Sequence, residues 1–376
     1  MKVVSIVGAR PQFIKAAVLS AELAKSGIEE CLIHTGQHYD DTMSQIFFDQ
    51  LSLKKPNHLL GVGSGGHGVQ TGEMMKRLDP VIQAERPDCV IVFGDTNTTL
   101  AGALVAVKQL IPLAHVEAGL RSFNRSMPEE INRVVTDHVA SLHFAPTAAA
   151  ARNLLAEGIS QGVDVVGDVM VDLALRTAAQ LGDAPPVLAR LGLEGGRYAV
   201  ATVHRASNTD DPRAFDRILS AFRRLTMPVV FPVHPRTSAL ARRFGAGEGD
   251  NVLLLEPLSY FDMIALIKHA SVVLTDSGGM QKEAYVLEVP CVTLRDETEW
   301  NETLEGGWNA LAGTDAAQIQ RLAERARPSQ AQGSPFGDGF AARRMATLLL
   351  RSASTAASQD PADVSQLGFA VASAGP

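Results

Sequence analysis

The stretch SVVLTDSGGMQKEA (residues 271–284) decides how the fold is read. An apolar run ends at Thr275, the segment Asp276-Ser277-Gly278-Gly279 lets a backbone approach closely, and a helix starts near Met280. Strand, glycine turn and helix in that order form an anion cradle, because the free N–H groups and the helix dipole both point at the turn. Glu283, one turn into the helix, is poorly placed for a phosphate and well placed for ribose hydroxyls. A cradle beside a diol-binding acid points to a nucleotide diphosphate. Arg295, after the next apolar run, would pair with the same phosphates.

Working outward, short β-rich runs alternate with helix-length segments along nearly the whole chain. The strands expected are Val3–Val7, Glu30–Thr35, Cys89–Phe93, Leu113–Glu117, Leu142–Ala145 and Val163–Val166. A second set comprises Tyr198–Val203, Val229–Val233, Val252–Leu255, Val272–Thr275 and Cys291–Leu294. Several are continuously apolar, as parallel strands covered on both faces should be. Helices are expected between them, for example over Ala101–Gln109, Phe215–Arg224 and Tyr260–His269. Repeated β-then-α units predict a doubly wound α/β architecture. The alternation restarts near residue 197, after GDVMVD (167–172) and Pro185-Pro186. Two Rossmann-like domains facing a central cleft follow, 1–170 and 171–337. The Ala- and Ser-rich end, 353–376, reads as a flexible tail.

The 376 residues are 46% hydrophobic and 20% charged, ordinary for a globular enzyme, and exceed one typical core. A net charge of −7 argues against nucleic acid or an anionic membrane as a partner. The N-terminal apolar run is too short for a signal peptide, and nothing approaches the ~18 residues of a membrane span. A cytoplasmic location is therefore expected. Cys31, Cys89 and Cys291 lack metal or redox spacing and read as buried thiols. Neither a metal nor a cofactor is expected: HExxH and CxxC are absent, and GVGSGG (61–66) follows no clear strand.

In such folds, ligands bind at the carboxyl ends of the strands. In GARPQFIK, Arg10 and Lys15 would flank a helix N-terminus, with Pro11 in its first turn. Asp95 follows the third strand, in GDTNTTLAGA, where an N-cap would also be expected. HVEAGLRSFNRSMPEEINR (115–133) carries Glu117 at a strand end, while Ser126 and Glu129 match a capping box. Capping would account for Glu129 but not for Glu117. Two carboxylates facing one cleft would have their pKa values driven apart, separating an acid from a base. His204-Arg205 and His234 with Arg236 end two successive strands of the second set.

GARPQFIK, TGQHYD, GDTNTTLAGA, HVEAGLRS, MPEEINR, TVHR, PVHPR, DSGGMQKEA and LRDETE occur in that order. Together they resemble the non-hydrolysing UDP-N-acetylglucosamine 2-epimerase family, of glycosyltransferase-B fold. The resemblance implies catalytic carboxylates at Asp95, Glu117 and Glu129 and an essential histidine at His204. It assigns UDP binding to Arg10, Lys15, His234, Ser277, Gly278, Gly279, Glu283 and Arg295. It also implies a UDP-amino sugar substrate, a homodimer, a role in polysaccharide biosynthesis, and a C-terminal helix, about 338–352, that joins the first domain. The family pattern TRPE is replaced by Ala9-Arg10-Pro11-Gln12, HRRE by His204-Arg205-Ala206-Ser207, and QHRE by Gln37-His38-Tyr39-Asp40. These changes argue against activation by a second UDP-GlcNAc. Other variants look like the branch acting on UDP-2,3-diacetamido-2,3-dideoxyglucuronate, whose carboxylate would need a cation such as Arg121 or Arg125. A hydrolysing epimerase and a retaining glycosyltransferase are the alternative readings.

Overall fold

The computed structural model describes residues 1–37, 55–233, 235–247, 249, 251–325 and 327–358. His234, the QHYD positions 38–40, the side chains of Arg10 and Arg236, and 359–376 lie outside them. A first sheet is built from β1 (Lys2–Val7), β2 (Glu29–His34), β3 (His58–Leu59), β4 (Cys89–Phe93), β5 (Leu113–Val116), β6 (Leu142–Ala145) and β7 (Val163–Val165). Its strand order is 3-2-1-4-5-6-7. A second sheet holds β8 (Ala199–Thr202), β9 (Val229–Pro232), β10 (Val252–Leu255), β11 (Val272–Thr275), β12 (Cys291–Thr293) and β13 (Asn309–Leu311). Its order is 10-9-8-11-12-13.

The pairing is parallel, as the apolar strands predicted: Val4 lies opposite Cys31 and Val90, and Val273 lies opposite Val200 and Cys291. Alternate residues of the second sheet feed different cores. Ala199, Ala201 and Phe231 pack on one face with Phe215 and Phe222, while Val200, Val230 and Val273 pack on the other with Tyr198 and Leu266. Burial on both faces is why those runs carry almost no polar residue.

The eleven expected strands are all present: four match at both ends, four lose one C-terminal residue, Tyr198–Val203 loses one at each end, Val3–Val7 gains Lys2, and Glu30–Thr35 shifts back by one. Strands β3 and β13 are additional. Both are very short edge strands, without the β-branched run that marks a strand in a sequence. Strand β3 also leads into GVGSGG, so that loop does follow a strand. Gly66 then forms the N-cap of helix His67–Glu85.

By internal contacts the chain divides into two compact units. Met1–Ala114 and Val139–Ser141 group with Ala342 onward, and His115–His138 group with Leu142–Ala341. The C-terminal helix runs Ala341–Ser358. Each sheet reverses its winding next to its first strand, at β1–β4 and at β8–β11. Those switch points are where a doubly wound sheet leaves a crevice.

Candidate active site

At the switch point of the first sheet, helix Arg10–Lys25 starts directly after β1, with Pro11 in its first turn. Gln12 holds the two strand ends together. Its Oε1 accepts from Gly8 N at 2.8 Å and Ala9 N at 3.0 Å, and its Nε2 donates to Phe93 O at 2.7 Å. Lys15 is buried one turn further along. Asp95 is half-buried in the turn after β4, and Thr96 rather than Asp95 stands at the N-cap of helix Asn97–Lys108.

The remaining described candidates belong to the second unit. Glu117 follows β5 with a left-handed φ of 71°, a conformation that costs a residue with a side chain roughly 1–3 kcal/mol. What enforces the turn is a buried network behind it. Asp137 accepts from Gly119 N at 3.0 Å and from Arg121 Nη1 at 2.7 Å, and it lies 2.6 Å from His115 Nδ1. A Cβ on Gly119 would sit 2.3 Å from the Ala150 carbonyl oxygen, so only glycine fits there. Burial alone would raise the Asp137 pKa, but the adjoining His115 and Arg121 hold it below the usual carboxylate range. Arg121 also grips Glu157 with Nε and Nη2, each at 2.7 Å. Its side chain is 1% exposed. The sequence reading offered Arg121 as a cation for a sugar carboxylate; the structure spends it on Asp137 and Glu157. Arg125 is exposed.

Helix Pro128–Val139 begins one residue before Glu129, which is half-buried. Ser126 Oγ donates to Asn124 Oδ1 at 2.6 Å, which is not the capping-box bond expected of it. The acid that folds back over the approaching loop is Glu130, which accepts from Ser122 N, Ser122 Oγ and Phe123 N, each at 2.9 Å. Those donors overcome the burial that would otherwise raise its pKa, and the net shift is downward.

At the switch point of the second sheet, β8 and β11 bring His204 against Asp276. The fully buried Asp276 carboxylate lies 3.0 Å from His204 Nδ1 and accepts from the backbone N of His204 and Arg205 and from Asn208 Nδ2. Burial pushes its pKa up, these donors pull it down further, and the net direction is down. Asp276 thereby fixes the imidazole by one nitrogen and leaves Nε2 without a partner among the described residues, with the side chain 53% exposed. The sequence reading treated Asp276 as part of a turn and missed this role. Its position one residue past the end of β11, beside the end of β8 that leads into His204, was the available signal.

Helix Gly278–Val286 starts two residues before the expected Met280, so both glycines lie in its first turn. Ser277 is its N-cap and accepts from Met280 N at 3.4 Å. The first-turn N–H groups of Gly278 and Gly279 have no partners within the helix. A Cβ on Gly278 would meet Trp300 Nε1 at 2.7 Å and Glu299 Oε1 at 2.8 Å, whereas one on Gly279 would meet only Ser277 Oγ, at 3.8 Å. Glu299 accepts from Arg295 Nη1 at 2.9 Å and Arg205 Nη2 at 3.3 Å. The cradle therefore carries two guanidinium groups at its entrance, held by one acid.

Deeper in the same helix, Lys282 and Glu283 are buried. Burial pushes the Glu283 carboxyl up to about 7, against the opposing pull of Tyr260 and Lys282. The Tyr260 hydroxyl leans toward it but makes no hydrogen bond of normal geometry. A carboxyl raised in the folded state contributes stability that is full below its ordinary value and is lost as pH rises through about 7. Thermal midpoints of the unliganded protein should therefore fall between pH 5 and about 8, and Glu283→Gln should flatten that slope. An unchanged slope in the variant would show that another group titrates there.

Among the described residues, one group brings metal-type ligands within 4.8 Å of one another: Cys31, His58 and Glu85. Glu85 is already paired with Lys2 at 2.7 Å and His58 at 2.6 Å. Burial and the neighbouring Glu85 charge push the Cys31 thiol up to about 12, so it keeps its proton. This is an ion-paired cluster and not an open ligand set. No helix among the described residues is long and apolar enough to cross a membrane.

The sequence profile of the family described as UDP-N-acetylglucosamine 2-epimerase matches residues 21–350. A UDP-N-acetylglucosamine 2-epimerase homolog of Methanococcus maripaludis is 48% identical over 356 residues, covering 93% of this chain and 99% of the relative. The UDP-2,3-diacetamido-2,3-dideoxy-D-glucuronate 2-epimerase of Pseudomonas aeruginosa is 46% identical over 363 residues, covering 93% and 100%. The crystal structure of Methanocaldococcus jannaschii UDP-GlcNAc 2-epimerase in complex with UDP-GlcNAc and UDP superimposes with a TM-score of 0.82 at 41% identity. It covers 93% of this chain and 100% of that one. These relatives and the solved structure each cover 93% of this chain and agree with the α/β architecture of two parallel sheets. The chain belongs to the UDP-N-acetylglucosamine 2-epimerase family.

Proposed function

We propose that the protein interconverts UDP-N-acetylglucosamine and UDP-N-acetylmannosamine by eliminating and re-adding UDP. The observation that carries this reading is the second unit's arrangement of acids and cations. Glu117 stands on an enforced left-handed turn, His204 is anchored by Asp276, and Arg205 and Arg295 flank a glycine-opened helix N-terminus. A carboxylate removes the C2 proton while the C1–oxygen bond breaks, and UDP departs with the electron pair to leave a 2-acetamidoglucal. UDP then adds back as a proton is delivered to the opposite face of C2. Nothing is oxidised overall. The arginines and the helix dipole offset the charge that grows on the leaving diphosphate. Asp95, Glu117 and Glu129 are the proposed acid–base groups. Arg10, Lys15, His234, Ser277, Gly278, Gly279, Glu283 and Arg295 are the proposed UDP contacts. A cytoplasmic homodimer serving polysaccharide synthesis, with lobes at 1–170 and 171–337, completes the reading.

Incubation with UDP-N-acetylglucosamine in D2O, without any acceptor, should place deuterium at C2 of both epimers, each recovered as the UDP-sugar. Retained protium under turnover would overturn the elimination route. Free sugar accumulating with UDP would identify a hydrolysing epimerase, and an absolute need for an acceptor would identify a glycosyltransferase. The Pseudomonas relative supports a second substrate, the diacetamido uronate, so both nucleotide sugars belong in the same assay.

Glu129→Gln separates chemistry from helix capping, because glutamine also serves at a helix start. Loss of kcat by roughly 10²-fold or more, at unchanged thermal midpoint, is expected. Full activity would return Glu129 to a structural role.

A further inference from the structure

One buried cation is unused by the mechanism above. Lys282, on helix Gly278–Val286, has a side chain only 4% exposed. Its ammonium forms an ion pair with Asp168 Oδ2, lies over the Trp300 ring at 3.7 Å from the centroid, and stands 3.8 Å from Glu117 Oε1. Asp168 is itself fixed, as the N-cap of helix Val169–Gln180, accepting from Met170 N at 2.8 Å. A long, flexible side chain is thus immobilised on two sides, and its remaining side faces the acid on the strained turn. Aromatic contact suits an ammonium that has lost its water. Structural neutralisation of Asp168 alone would not need a second carboxylate on the opposite side of the cation.

We propose that Lys282 is the positioning residue for Glu117, holding that carboxylate ionised and aimed as the base that takes the C2 proton. The inference rests on the epimerase reading and deepens it. Other titratable groups surround the pair. Glu283 and Tyr260 lie on the same helix and on helix Tyr260–Lys268, and Asp172 is on the helix that Asp168 caps, accepting from Ala341 N. Behind the turn, His115, Arg121, Asp137 and Glu157 are already paired with one another.

The test must avoid leaving Asp168 as an orphaned buried charge. Asp168→Asn keeps an N-cap, since asparagine caps as well as aspartate, and it leaves Lys282 facing Glu117. The comparison is D168N against D168N/K282M, with K282R in the otherwise unchanged protein as the conservative variant. The acidic limb of kcat against pH should stay near its wild-type position in D168N and K282R. In D168N/K282M it should move up by about one pH unit or more, because an adjacent cation favours the ionised carboxylate. UDP affinity measured over the same pH range reports Glu283, so a shift confined to affinity would assign the effect to that residue and overturn the proposal. Coincident kcat profiles in D168N and D168N/K282M, both folded by thermal midpoint, would overturn it equally. If the methionine variant does not fold, D168N/K282Q supplies the same neutral comparison with a polar side chain. A wild-type protein that epimerises neither UDP-N-acetylglucosamine nor the diacetamido uronate removes the epimerase reading itself, and this inference with it.

Discussion

Glu117→Gln should abolish most epimerisation, lowering kcat by roughly 10²–10⁴-fold, the usual worth of a positioned general base or acid. Size and backbone conformation are kept, so glutamine inherits the same left-handed turn at φ 71°, behind which Gly119 N still donates to Asp137. UDP affinity should stay close to wild type, because the cradle at Ser277–Gly279 and the arginines on Glu299 do not involve this side chain. Deuterium incorporation at C2 should fall in parallel with turnover. A variant that keeps kcat within about tenfold of wild type would show that Glu117 is neither base nor acid.

The largest stability effect is expected at Asp137. Its carboxylate is fully buried and serves His115, Arg121 and the N–H of Gly119 together. Asp137→Ala would leave the guanidinium of Arg121 without one partner in a site that water does not reach. Breaking a buried pair from one side costs about 3–5 kcal/mol. The turn that carries Glu117 would also lose its restraint, so activity should fall with stability. Denaturant titration of Asp137→Ala and Asp137→Asn separates the two terms, since asparagine can still accept from Gly119 N. A loss below ~1 kcal/mol in the alanine variant would mean that the network contributes little. The sign with pH follows from the depressed pKa of this carboxyl. Its contribution is present above the ordinary carboxylate range and is lost as pH falls through the lower folded value. The gap between wild type and Asp137→Asn should therefore narrow in acid.

Much of the fold was legible because parallel strands buried on both faces must be short, apolar and bounded by polar turns. Thus Cys89–Phe93, Leu142–Ala145, Val252–Leu255 and Val272–Thr275 were readable to the residue. His58–Leu59 and Asn309–Leu311 were not, since their strand character comes from pairing with β2 and β12 rather than from their own side chains. The positions of His204, Asp276 and Glu117 were foreseeable because a doubly wound sheet presents its carboxyl ends to the ligand.

The pairings among charged residues were not foreseeable in the same way. Ser126 and Glu129 fit a local capping pattern, yet Ser126 turned to Asn124 and Glu130 took the loop. Arg121 looked available between two acids until Asp137 and Glu157 closed on it. Lys282 meets Asp168 across 114 residues of sequence. Local sequence determined the strands, the glycine turn and which residues stand at strand ends, because backbone geometry and hydrophobic period act over a few residues. Only the tertiary structure decided which cation faces which carboxylate, because a buried charge takes whatever partner the packing of distant elements brings within about 4 Å.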